Sequence, residues 1–186
     1  MKTIFFEKYF NLINTTVISV NKDKLIAVSD LVKDVAIKGK KIIVVGNGGS
    51  AAMASHIAVD FTKAARVRAV NFNEADLITC FANDYGYEQW VVEALNAYAD
   101  SGDLVILISS SGKSPNIVNG AIQAKKMGLK VVTLSGFGID NPLRKLGDIE
   151  FWADSADYNV VEMSHHIWLL AIVDYFIEAN KKEFKV

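Results

Sequence analysis

One cysteine, two prolines and three histidines are all that this 186-residue chain holds of those residues, and each scarcity excludes something. A lone Cys80 cannot close an intrachain disulfide, so the core must hold the fold, as suits a reducing cytoplasm. Prolines stand only at positions 115 and 142, both at turns or helix starts, and no linker or low-complexity segment interrupts the chain. Neither sign of charge dominates: 20 Lys and Arg face 21 Asp and Glu, for a net charge of −1. That balance leaves no electrostatic footprint for nucleic acid. No uninterrupted apolar run approaches the roughly 18 residues that cross a bilayer, and the charged start Met1–Lys8 lacks the apolar centre of a signal peptide.

What is present is a globular composition, 51% apolar and 22% charged, enough for one α/β domain over residues 1–186. Apolar positions recur every three to four residues over about 3–20 (Phe5, Phe6, Phe10, Ile13, Val17) and 22–38 (Leu25, Val28, Leu31, Val32, Val35). This spacing predicts two N-terminal helices with Gly39 as the stop. Residues 1–39 therefore precede a core at 40–186. Two amphipathic helices exceed what so small a core needs, so Phe5, Phe6 and Phe10 are expected to be buried by another subunit. Apolar runs at 41–45, 104–108 and 130–134 read as buried strands, with shorter strands at 66–70 and 149–152. Helical patterns lie between and after them, at 51–61, 88–98, 114–127 and 160–180, the third opened by Ser114 as N-cap and Pro115 at the first helical position. A further helix is expected to start over 74–82 and to break near Asn83-Asp84-Tyr85-Gly86-Tyr87. Strands alternating with helices predict a parallel sheet covered on both faces. Cys80 is expected to be a small buried residue, and Trp90, Trp152 and Trp168 to belong to the core or an interface.

Two loops carry the chemistry. Gly46-Asn47-Gly48-Gly49-Ser50 follows the first strand, and Ser109-Ser110-Ser111-Gly112-Lys113-Ser114 follows the run at 104–108. Small residues between strand and helix let backbone N–H groups approach a ligand, the helix N-terminus adds partial positive charge, and serine hydroxyls add donors. A phosphorylated small molecule fits between two such loops. The nucleotide fingerprints do not fit. Gly-x-x-x-x-Gly-Lys-Ser/Thr is absent, and Arg66 and Arg68 stand where a dinucleotide site wants an acid, so no nucleotide cofactor is expected.

Gly46-Asn47-Gly48-Gly49-Ser50-Ala51-Ala52, Asn83-Asp84-Tyr85-Gly86, Ser109 to Asn116 and Leu134-Ser135-Gly136 together resemble the sugar isomerase (SIS) domain, and within it the phosphoheptose isomerases. The resemblance spans nearly the whole chain. It implies a three-layer αβα sandwich with a central parallel, flavodoxin-like sheet. It also implies interconversion of sedoheptulose 7-phosphate and D-glycero-D-manno-heptose 7-phosphate, in a homotetramer with sites shared between subunits. By position, Ser109, Ser110, Ser111 and Ser114 would hold the phosphate. Asn47, Gly48, Gly49 and Ser50 would line the sugar, and Asn83 and Asp84 would complete the pocket, often from a neighbouring subunit.

Aldose–ketose isomerisation moves a proton between adjacent carbons, which requires a base and an acid or metal for the developing oxyanion. Two groups are available. His56 and Asp60 lie at i and i+4 on one helix face; the resemblance puts a histidine and a glutamate at those positions, the latter as base and metal ligand. Aspartate is about one methylene shorter, which shifts the carboxylate by roughly an ångström. The second group is Glu162, His165 and His166. Here the chain departs from the family, whose glutamine and catalytic histidine would stand at Val161 and Leu169. His165, one turn before Leu169, is the expected replacement, and His166 the alternative. The expected assignment is Asp60 as base, His165 as acid and His56 as assistant, with Glu162 against the substrate. Zinc on His56, Asp60 and His165 is the metal those ligands suit. The competing reading is a sugar-phosphate-binding or assembly protein without turnover.

Overall fold

The computed structural model describes residues 2–184. Two helices come first, α1 (Lys2–Ile18) and α2 (Lys22–Ile37). Asn21 caps α2, its side chain accepting from Asp23 N at 2.9 Å. The helix stops where expected, with Gly39 at φ +62°. The strands follow as β1 (Ile42–Val45), β2 (Ala69–Asn71), β3 (Leu104–Ser109), β4 (Lys130–Ser135) and β5 (Ile149–Trp152). They pair in parallel in the order β2-β1-β3-β4-β5. The helices between and after them are α3 (Gly49–Lys63), α4 (Ala75–Tyr85), α5 (Trp90–Tyr98), α6 (Pro115–Lys126) and α7 (Tyr158–Phe184).

The sheet is buried on both sides, which is why its strands are apolar without alternation. Ile42, Val44, Ile106, Ile108, Val132 and Leu134 share one core with residues of α2, α3 and α7. Ile43, Val45, Val105, Leu107 and Val131 share the other with α5 and α6. The expected three layers are thus present, and the N-terminal helices cover part of one face. Long, apolar α7 has the length and composition of a membrane span over residues 158–181, but half of its most apolar window is buried inside the protein. It is a core helix packed on α1, α2 and α3.

Three local expectations are corrected. The second strand is Ala69–Asn71 rather than 66–70, because Arg66 adopts φ +58° and ends the turn after α3. Asn83 and Asp84 are not in a break: α4 runs through them to Tyr85 and stops at Gly86, at φ +91°. Cys80 is exposed, because α4 has no buried residue. Trp90 and Trp168 are core residues as expected, and Trp152 lies under the Arg144 guanidinium, 5.0 Å from its ring centre. Phe5, Phe6 and Phe10 expose 63%, 55% and 62% of their surface, so within one chain these rings near the start of α1 have no cover, while its end packs on α7.

Candidate active site

The strand order reverses between β1 and β3, which are neighbours in the sheet. In open parallel sheets the crevice at that reversal, beyond the carboxyl ends of the strands, is where ligands bind. Both signature loops end there. Gly48 turns the first loop at φ +54°, a conformation closed to most side chains. Ser50, Ser109 and Ser110 are buried at the base of the crevice.

A cavity of about 120 Å³ opens between the loops. Ser109, Ser110, Ser111 and Ser114 form one wall, and Asn47 and Ser50 the facing one. Tyr158 and Glu162 of α7 close it. Ser114 occupies the N-cap position of α6, but its hydroxyl makes no cap bond and instead accepts from Ser109 Oγ at 3.0 Å. The serine hydroxyls and the positive end of α6 therefore converge on one spot, the arrangement that suits an anion. A larger cleft of about 160 Å³ lies beside Lys24, Arg144 and Glu150, but there Glu150 already pairs with both cations.

Glu162 sets the polarity of the pocket. Its carboxylate lies so close to Gly49, the first residue of α3, that a Cβ there would fall 2.3 Å from Oε2. The positive end of α3 favours this carboxylate, and Ser110 Oγ lies 3.5 Å from Oε1. One helix N-terminus thus already faces an internal carboxylate, and an incoming anion is directed to the other, at the serines.

One turn beyond Glu162 on α7, about 6 Å along the axis, stands His166. Its Nε2 is 2.9 Å from His56 Nδ1, and His56 Nε2 is 3.3 Å from Asp60 Oδ2. The imidazole rings meet edge to face at 4.9 Å. Donation from His56 Nε2–H to Asp60 leaves Nδ1 to accept from His166 Nε2–H; these tautomers are assigned from the chain of contacts. Burial, and then the neighbouring His56, push the His166 pKa down, against a smaller upward pull from Asp60.

His165 is not in this group, which corrects the assignment of the acid. It is fully buried, with Nε2 2.9 Å from the Ser135 carbonyl oxygen and its ring beside Trp168. Burial pushes its pKa down to about 4. The core face of α7 carries Val161, His165, Trp168, Leu169 and Ile172. Choosing the histidine that shares a face with Leu169 therefore chose the core, whereas Glu162 and His166, also one turn apart, face α3. The three residues expected to hold zinc, His56, Asp60 and His165, do not come together. His165 is sealed away, Val161 and Leu169 are apolar and fully buried, and His56 reaches Asp60 and His166 through opposite ring edges. Among the described residues, no three His, Cys, Asp or Glu side chains converge to hold a metal.

Asn83 and Asp84 are also not brought to the pocket within one chain. They are exposed on the last turn of α4, Asn83 Nδ2 donating to Asp84 Oδ1 at 2.9 Å. Asn47, Ser50, the four serines and Glu162 do come together there, with Gly48 and Gly49 forming the turn beside them. Tyr158 was not foreseen; no periodic signal singles it out. Asn116, the last residue of the Ser109 to Asn116 motif, pairs with Asn47 through both amide groups.

Such a pocket at the switch point of a fully parallel sheet defines the class: an α/β domain whose serine hydroxyls and helix N-terminus together suit an anion. The SIS domain family model matches residues 5–136. The phosphoheptose isomerase of Fusobacterium nucleatum subsp. nucleatum is 37% identical over 142 residues, covering 74% of this chain and 73% of that protein. The Campylobacter concisus phosphoheptose isomerase is 34% identical over 155 residues, covering 80% and 82%. Among solved structures, the phosphoheptose isomerase GmhA from Neisseria gonorrhoeae shares the fold with a TM-score of 0.85 at 22% identity, over 94% of this chain and 96% of that one. The chain belongs to the SIS domain family and, within it, to the phosphoheptose isomerases.

Proposed function

We propose that this chain interconverts sedoheptulose 7-phosphate and D-glycero-D-manno-heptose 7-phosphate through an enediol. The names of its relatives support the substrate. The observation that carries the reading is a serine-lined pocket closed by Glu162 of α7, with His166 one turn further along that helix and joined through His56 to Asp60. Ser109, Ser110, Ser111 and Ser114 hold the phosphate with the N-terminus of α6, and Glu162 accepts from sugar hydroxyls. Asp60, with Oδ2 held by His56, takes the proton from C1 of the ketose and returns it to C2. His56 and His166 carry the proton that leaves one sugar oxygen and joins the other. No step is routed through a metal, because the donor atoms here run in a line.

The same proposal includes a homotetramer in a reducing cytoplasm, in which a neighbour covers the apolar face of α1 and Asn83 and Asp84 of one subunit approach the pocket of another. The uncovered Phe5, Phe6 and Phe10 and the unburied helix α4 support it. A second reading, binding without turnover, is favoured by Val161 and Leu169, which can neither carry a proton nor ligate. Incubation with sedoheptulose 7-phosphate, with the aldose product followed by NMR, separates the two. Turnover that falls at least about 100-fold in Asp60→Asn supports the isomerase. Binding by calorimetry with no conversion supports the second reading.

A further inference from the structure

Asn47 reaches the pocket wall with three of its four hydrogen-bonding positions already spent. Its Nδ2 donates to Asn116 Oδ1 at 3.0 Å, and its Oδ1 accepts from Asn116 Nδ2 at 2.9 Å, a closed amide pair. Tyr87 O–H donates a second bond to the same Oδ1 at 3.2 Å. One N–H of Asn47 remains. Turning the Asn47 amide over by itself would set its NH2 against the NH2 of Asn116 and would replace the acceptor that Tyr87 uses, so these two partners assign its orientation.

Asn116 is almost completely buried, 1% exposed, on the first turn of α6, whereas Asn47 belongs to the loop after β1 and Tyr87 to the turn between α4 and α5. The three residues therefore tie the glycine loop to the serine-loop helix across the crevice, and both to a third segment.

We propose that Asn116 and Tyr87 are positioning residues that act through Asn47: they hold its remaining N–H toward the sugar, so that this position accepts a ligand oxygen carrying a lone pair, a carbonyl or hydroxyl of the phosphosugar. Neither residue needs to touch the substrate. Breaking the brace lets the Asn47 amide rotate and offer an acceptor where the sugar wants a donor. It also loosens the two loops relative to each other. The inference rests on the isomerase reading only for its catalytic readout, and substrate affinity supplies an independent one.

A double-mutant cycle tests it. Asn47→Ala, Asn116→Ala and the double variant are compared in kcat/KM for sedoheptulose 7-phosphate and in calorimetric affinity for the same compound. Each single change is expected to lower both by about tenfold, the order of one lost hydrogen bond, and the double variant to be no worse than Asn47→Ala alone. Losses that multiply would show that Asn116 acts independently of Asn47 and would overturn the proposal. Tyr87→Phe guards against a misfolded Asn116→Ala, because Tyr87 is more than half exposed and only its hydroxyl is removed. It is expected to cost a few-fold in the wild-type background and nothing in Asn47→Ala; an equal cost in both backgrounds would refute the brace. If the protein binds but does not turn over, the isomerase reading fails while the affinity cycle still decides this one.

Discussion

Replacing His165 with leucine should make the protein more resistant to acid. The folded imidazole has a pKa of about 4 because it is fully buried, whereas an unfolded histidine titrates near 6.5. Between those values the unfolded chain binds the proton and the folded chain does not, so stability rises with pH across this window. Above about pH 7 the residue contributes no pH dependence, and at or below about pH 4 the full gap costs about 3 kcal/mol. At pH 5 the cost is about 2 kcal/mol, a sizeable share of the roughly 5–15 kcal/mol that holds a domain together. Leucine removes the titrating group. The Ser135 carbonyl it leaves behind keeps its bond from Ala153 N at 2.8 Å, so no buried acceptor is stranded. Urea unfolding of both proteins at pH 7.5 and pH 5 isolates the residue, since every other titration cancels in the difference between their pH responses. Wild type should lose about 2 kcal/mol more than His165→Leu on acidification. Equal losses would mean that His165 is protonated in the folded state, and the assignment to the core would be wrong.

Turnover should separate the two adjacent histidines: His166→Asn is expected to lower kcat at least about 100-fold, while His165→Leu stays within a few-fold of wild type in the same steady-state assay. Ser110→Ala and Ser114→Ala should each raise KM for the phosphosugar about tenfold, and inorganic phosphate should compete less well against them than against wild type, as measured by inhibition constants. Phe5→Glu combined with Phe10→Glu should reduce the mass found by light scattering, because covering each of these rings is worth about 1.5–3 kcal/mol to an assembly. An unchanged mass would place the subunit contact elsewhere.

The parallel sheet and the two loops were legible because they rest on local chemistry. A strand buried on both faces must be apolar throughout, as at 42–45 and 104–108, and a loop that brings backbone close to an anion must be built from glycine and serine. His56 and Asp60 were legible as a pair because the helix repeat alone puts i and i+4 together. Cys80 was misjudged because composition says that cysteines are buried, while α4 stands on the outside of this chain.

The sequence by itself determined the elements, their order, the two signature loops and the carboxylate–histidine pair on α3, since each depends on neighbours within a turn or a loop. Only the tertiary structure decided how α7 is rotated. A turn of about 100° separates successive residues of a helix, so two adjacent histidines present themselves to different surroundings. Packing of Val161, Trp168, Leu169 and Ile172 into the core sends His165 inward to Ser135, and that same rotation carries Glu162 to Gly49 and His166 to His56. The closure of Asn47 on Asn116, 69 positions apart, likewise exists only because β1 and β3 lie side by side.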